Sequence, residues 1–123
     1  MDWQTVETMG YAYYSARGYR VLIPVVRTNA YDFVAEKNGQ FVRVNVKLAG
    51  LKDNKRPDSW SISSSGNKSE DNRKQMREWV DIYLAYLPHQ QRFIELPGDF
   101  LSGGRSKARR IPQSLLAEVS DGL

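Results

Sequence analysis

Apolar and polar residues alternate most regularly between Tyr31 and Lys47, in the stretch YDFVAEKNGQFVRVNVK. A period of two marks strands, and Asn38-Gly39 at the centre marks a hairpin, because both turn positions need a positive φ. A two-residue loop fixes the register. It sets Lys37 opposite Gln40, Ala35 opposite Val42 and Asp32 opposite Asn45. Phe33, Ala35, Val42, Val44 and Val46 then share one face, while Asp32, Arg43, Asn45 and Lys47 share the other. Upstream the period becomes helical. Val6, Met9, Gly10 and Tyr13 recur between Trp3 and Arg17, and Gly18 suits the left-handed residue that ends a helix. Glu7 falls at the edge of the apolar stripe, about 100° round from Val6. Tyr19 to Val26 is rich in β-formers and predicts a strand ending near Pro24, followed by a loop through Arg27-Thr28-Asn29-Ala30.

Beyond the hairpin the pattern is less regular. Leu48 to Pro57 reads as a polar loop carrying Lys52, Lys55 and Arg56, and Ser59 to Ser63 alternates as a strand. Ser64 to Asn72 is a Ser/Gly/Asn-rich connection, and Arg73 to Glu78 suits a short helix. Val80 to Tyr86 and Arg92 to Leu96 read as strands joined by a turn at Pro88-His89-Gln90-Gln91. Gly103 to Arg110 reads as a basic loop with Arg105, Lys107, Arg109 and Arg110. Pro112 suits the first turn of a final helix with Leu115, Leu116 and Val119 on its apolar side. No internal repeat is evident, and 123 residues fit one domain.

Composition narrows the chemistry. With no cysteine, disulfides, thiolate metal sites and cysteine catalysis are excluded, and the single histidine, His89, rules out a multi-histidine zinc site. No apolar run reaches membrane-spanning length and Asp2 follows Met1 where a signal peptide would be basic, so the expectation is a soluble, intracellular, cytoplasmic protein of bacterial or phage type with no membrane partner. A net charge of +4 permits an anionic partner.

Two readings of the polar hairpin face stand side by side. Asp, Asn and Lys are ordinary residues for an exposed strand face. The same acid, amide and lysine also lie within reach of one small ion, because neighbours across and along a hairpin are about 5–7 Å apart. Glu7 is either a solvated glutamate favoured by the helix dipole or a further member of that group. Arg43, on the same strand face, suits solvent as well as a phosphate.

Order decides between them. Glu7 in the first helix is followed eleven residues later by Gly18-Tyr19-Arg20-Val21-Leu22-Ile23-Pro24, then by Tyr31-Asp32-Phe33-Val34, then by Asn45-Val46-Lys47. This succession resembles the PD-(D/E)XK nucleases, among them homing endonucleases and archaeal-type Holliday junction resolvases. The resemblance implies an α/β fold with a restriction-endonuclease-like core, a central mixed β-sheet flanked by helices. It implies catalytic roles for Glu7, Asp32, Asn45 and Lys47, with Asp32, the Asn45 side-chain oxygen, the Val46 carbonyl and Glu7 as ligands of Mg²⁺, for which Mn²⁺ can substitute. The amide at Asn45, where most of the family has a carboxylate, is closest to the homing branch. It gives up one charge attraction for a cation that tolerates little distortion.

The function so implied is that of a sequence-specific, homing-type DNA endonuclease, a homodimer or homotetramer that hydrolyses phosphodiester bonds in double-stranded DNA with a metal ion. Junction resolution, or DNA binding by a catalytically weakened relative, are the alternatives. Arg43, Lys52, Lys55, Arg56, Arg105, Lys107, Arg109 and Arg110 are the candidate DNA contacts; for such charge runs the alternative is a solvated loop.

Overall fold

The computed structural model describes residues 1–27, 30–51, 60–63, 78–101 and 108–116. Helix α1 spans Trp3–Ala16, one residue short of the expectation. The Asp2 carboxylate caps it by accepting from the Thr5 N–H at 2.7 Å. Gly18 ends it with φ +85°, as anticipated. Strand β1 is only Arg20–Leu22, shorter than the β-rich run that predicted it. Strands β2 (Phe33–Lys37) and β3 (Gln40–Leu48) form the hairpin, with Asn38 at φ 54° and Gly39 at φ 77° in the turn. The expected pairs Lys37–Gln40 and Ala35–Val42 are present.

After β3 come β4 (Gly50–Leu51), β5 (Trp60–Ser63), β6 (Ile82–Leu87), β7 (Arg92–Pro97), β8 (Ala108–Arg110) and a short α2 (Gln113–Leu116). The central sheet runs β1-β2-β3-β6-β7, and β4-β5-β8 form a separate small sheet. All pairs in the central sheet are antiparallel except β3–β6, which makes it the mixed sheet anticipated. Gly50–Leu51 and Ala108–Arg110, expected within loops, are strands. Both pair with β5, and such distant pairing leaves no local pattern to read. The expected stretches 52–59, 64–77 and 102–107, together with Val119, lie outside the described residues.

The central sheet divides the core in two. Against α1 lie Phe33, Ala35, Val44, Val46, Leu84 and Phe93, packed with Val6, Tyr13 and Tyr14. On the other side Tyr83, Ala85, Leu87, Ile94 and Leu96 meet Trp60, Ile62, Ile111 and Leu116. Burying such side chains stabilises by about 1.5–3 kcal/mol each. Gly10 is where the helix comes closest: a Cβ there would stand 3.2 Å from Val46 Cγ2 and 3.4 Å from Leu84 Cδ2. One turn earlier on the same helix, Glu7 is carried down to the start of β2. Among the described residues no helix is long and apolar enough to cross a membrane.

Candidate active site

The hairpin's ordered ladder ends at Phe33–Val44. The residue before it departs from the expected register. Were Asp32 directly opposite Asn45, their backbones would exchange bonds or both turn away. Instead the Asp32 N–H donates to the Val44 carbonyl at 2.8 Å, one residue out of step. This bulge-like slip turns the Asp32 carboxylate across the strand, where Oδ2 accepts from the Val46 N–H at 2.7 Å. Asp32 is thereby locked to the middle residue of Asn45-Val46-Lys47 by a charge-assisted bond.

Around Asp32 stand charges of both signs. Burial, the largest influence, pushes its carboxyl up to about 6 from an ordinary 3.8. The Val46 amide opposes this, the Glu7 carboxylate adds to it, and Lys47 and Arg27 draw it back down. Glu7 is buried, 3 % exposed, so the solvated-glutamate reading fails: the helix edge that looked marginal on the sequence is covered by the sheet. Its Oε1 accepts from the Tyr11 hydroxyl at 2.8 Å and pairs with the Arg27 guanidinium at 3.3 Å. Its Oε2 is buried with no hydrogen-bond partner. Tyr11 is held edge-on against Phe33, with ring centroids 5.1 Å apart. Burial, then the bond to Glu7, pushes its phenol up to about 12, so it stays a donor at neutral pH.

Asn45 is buried, and its Nδ2 donates to the Ala30 carbonyl at 2.7 Å. The amide therefore does something a carboxylate cannot: it ties β3 to the chain entering β2, and leaves Oδ1 as its acceptor atom. Lys47, half-buried two residues on, is close enough to Asp32 to lower its pKa.

The structure thus brings Glu7, Asp32, Val46 and Lys47 together, with Asn45 next to them in the strand. Two partners went unnoticed in the sequence, Tyr11 and Arg27. Tyr11 sits one helical turn from Glu7, a signal that was available; Arg27 lies in a loop, where spacing carries no such information.

The candidate DNA contacts divide. Arg43 is engaged at the surface: its backbone N–H and Nε donate to Asp81 Oδ2 at 2.8 and 3.0 Å, and Nη2 to Oδ1 at 3.2 Å. Arg109 places its guanidinium 4.4 Å over the Phe100 ring and donates to the Phe100 carbonyl at 2.8 Å. Arg110 is exposed on β8, opposite Ser61. Lys52, Lys55, Arg56, Arg105 and Lys107 lie outside the described residues.

Among the described residues no three His, Cys, Asp or Glu side chains gather as a metal site. A hard cation would take two carboxylates here, with amide and carbonyl oxygens completing the set. The donor chemistry fits. An unpartnered, buried Glu7 oxygen beside a carboxyl raised by burial and by a like charge is an arrangement that a divalent cation relieves.

The family model for the PD-(D/E)XK endonuclease matches residues 4–112. The chain belongs to the PD-(D/E)XK endonuclease family. Its fold is similar to that of a bacterial homing endonuclease (TM-score 0.66, 17 % identity, covering 88 % of this chain and 70 % of that one). It is similar also to Hjc, a Holliday junction resolvase from the hyperthermophilic archaeon Archaeoglobus fulgidus (TM-score 0.61, 14 % identity, 91 % and 84 % covered). No curated protein sequence matches the chain. At these identities the two structures bear on the PD-(D/E)XK fold alone.

Proposed function

We propose that the protein is a Mg²⁺-dependent DNA endonuclease of homing type that hydrolyses phosphodiester bonds as a homo-oligomer of single-domain chains. One observation carries the reading: in a PD-(D/E)XK chain, Glu7 Oε2 is buried without a partner beside the perturbed Asp32. Asp32, Glu7, Asn45 Oδ1 and the Val46 carbonyl would hold the cation, Mg²⁺ or Mn²⁺. Bound there, it would neutralise charge on the phosphate and acidify a water for attack.

The chain's own groups do the rest. The Val46 N–H fixes the Asp32 carboxylate, and Tyr11 with Arg27 fixes Oε1 of Glu7, leaving Oε2 directed elsewhere. The Lys47 ammonium orients the attacking water or stabilises the phosphate charge. Arg110, with Lys52, Lys55, Arg56, Arg105 and Lys107, contacts the DNA backbone. Arg43 and Arg109 are left out of that set because Asp81 and Phe100 engage them.

Junction resolution is the second reading, an activity that the same fold carries in Hjc. A catalytically weakened DNA-binding relative is the third, supported by the neutral Asn45. Incubation with Mg²⁺ and linear duplex, supercoiled plasmid or a synthetic four-way junction separates the three. Cutting of duplex at a discrete site is expected. Cutting of the junction alone would favour the second reading, and binding without cutting the third.

A further inference from the structure

The central sheet is covered unevenly. On the side away from α1, the small sheet and α2 pack over β6 and β7. Among the described residues, the same side of β1, β2 and the first half of β3 belongs to neither core cluster. Strand alternation and the register define what that area displays. Arg20, Glu36 and Phe41 stand in one row across the three strands, and Leu22, Val34 and Arg43 in the next. Phe41 is 63 % exposed and Leu22 44 %. Apolar exposure continues along the chain leaving β1, where Ile23 is 58 % exposed, Val25 102 % and Val26 79 %. Of the nine large apolar side chains exposed among the described residues, Leu22, Ile23, Val25 and Val26 follow one another along the chain, and Phe41 stands two strands from Leu22 on the same face of the sheet. Contiguous apolar exposure of this kind marks an interaction surface, whereas isolated cases need no explanation. β1 is also an edge strand of three residues.

We propose that this area is the interface between two copies of the chain, related by a two-fold axis. The observation pointing to a second copy is the charge pattern. Within the apolar field stand one cation and one anion, Arg20 and Glu36, directly opposite on adjacent strands. With the two-fold axis running across the line that joins them, Arg20 of each copy reaches Glu36 of the other and no like charges face. A polyanion such as DNA finds no such match, because Glu36 would repel it and the field around it is apolar. The remaining charge in these rows, Arg43, is already neutralised by Asp81. Leu22, Val34 and Phe41 supply the dry centre, and the exposed Val25 and Val26 follow on the chain between β1 and Arg27. The interface deepens the proposed endonuclease reading by pairing two active sites for the two strands of a duplex, but its geometry does not depend on metal or cleavage.

Light scattering and sedimentation equilibrium test it without reference to nuclease activity. The parent chain is expected at twice the monomer mass of 14.1 kDa, or a multiple of two. Leu22→Glu/Phe41→Glu, both at exposed positions, should weaken self-association by about 100-fold or more with an unchanged circular dichroism spectrum. Two gentler variants test the two-fold. Arg20→Glu and Glu36→Arg should each weaken the dimer, and mixing them should restore it as a heterodimer, since each new charge then meets its opposite. A monomeric parent chain at tens of micromolar, a Leu22→Glu/Phe41→Glu variant that keeps the parent's mass, or mixed single variants that remain apart would each overturn the proposal. Loss of cleavage with the dimer intact would count against the endonuclease reading alone.

Discussion

Two acid–base clusters flank the strand β3, and they are built on opposite principles. At one, Asp81 and Arg43 share three hydrogen bonds near the surface. Both groups are pushed towards their charged forms, Asp81 downward chiefly by its bond to the Arg43 side chain, Arg43 upward by the same bond. At the other, Glu7 and Asp32 crowd together under cover, one Glu7 oxygen has no partner, and the Asp32 carboxyl is driven up to about 6. The first cluster is complete as it stands. The second keeps two acids and an unpartnered oxygen close together, a crowding that added positive charge relieves. Satisfied charge stabilises the fold; the unsatisfied charge, held in place by Val46, Tyr11 and Arg27, is what the proposed endonuclease reading assigns to chemistry.

The largest break in that contrast is expected from Asp32→Asn. The amide can still accept from the Val46 N–H, so the fold is kept. Cleavage should fall on the order of 1000-fold, several kcal/mol of lost charge stabilisation. Metal-free stability should move the other way. Because the Asp32 pKa is raised in the folded state, the native protein holds its proton longer than the unfolded chain does. Stability therefore falls as pH rises from about 4 to about 6. The variant lacks that fall and should be about 1–2 kcal/mol more stable than the parent at pH 7.5, measured in urea. Asp81 has the opposite sign: its depressed pKa gives stability that is present above about 4 and lost on acidification.

Asn45→Asp sharpens the comparison by adding an acid to the crowded cluster. The new carboxylate would face the Ala30 carbonyl that Asn45 Nδ2 now donates to. Metal-free stability should drop by about 1–3 kcal/mol, and saturating Mg²⁺ should recover more of it than in the parent. Thermal unfolding with and without Mg²⁺ checks this.

Removing the complete cluster should matter least to function. Arg43→Ala is expected to cost about 1 kcal/mol in urea unfolding, with cleavage within twofold of the parent. A hundredfold loss of cleavage would return Arg43 to the DNA interface. A smaller effect still separates the two arginines of β8. Arg110→Ala should lower the slope of log K for DNA against log salt by about one, whereas Arg109→Ala should leave the slope unchanged.

Much of this was legible in the sequence where the determinant is local. Asn38-Gly39 sets its own turn, and the alternation on either side fixed Lys37–Gln40 and Ala35–Val42. The single-residue slip at Asp32 was not legible, because it depends on the Val46 amide claiming the carboxylate in three dimensions. Glu7 stood in the right place in the helix, but its burial depends on Gly10 letting α1 settle onto Val46 and Leu84. Arg43 and Arg109 looked like free charges because Asp81 and Phe100 are 38 and 9 residues distant in sequence. Strands β4 and β8 exist only through pairing with β5, which no local pattern announces.

A carbon-detected NMR titration of the Asp32 carboxyl, with and without saturating Mg²⁺, tests most directly whether the crowded acids form a cation site. Without metal the carboxyl should titrate near 6. With Mg²⁺ bound the charged form is stabilised and the midpoint should fall below the ordinary 3.8. A midpoint that Mg²⁺ leaves unchanged would mean that the cation does not bind beside Asp32.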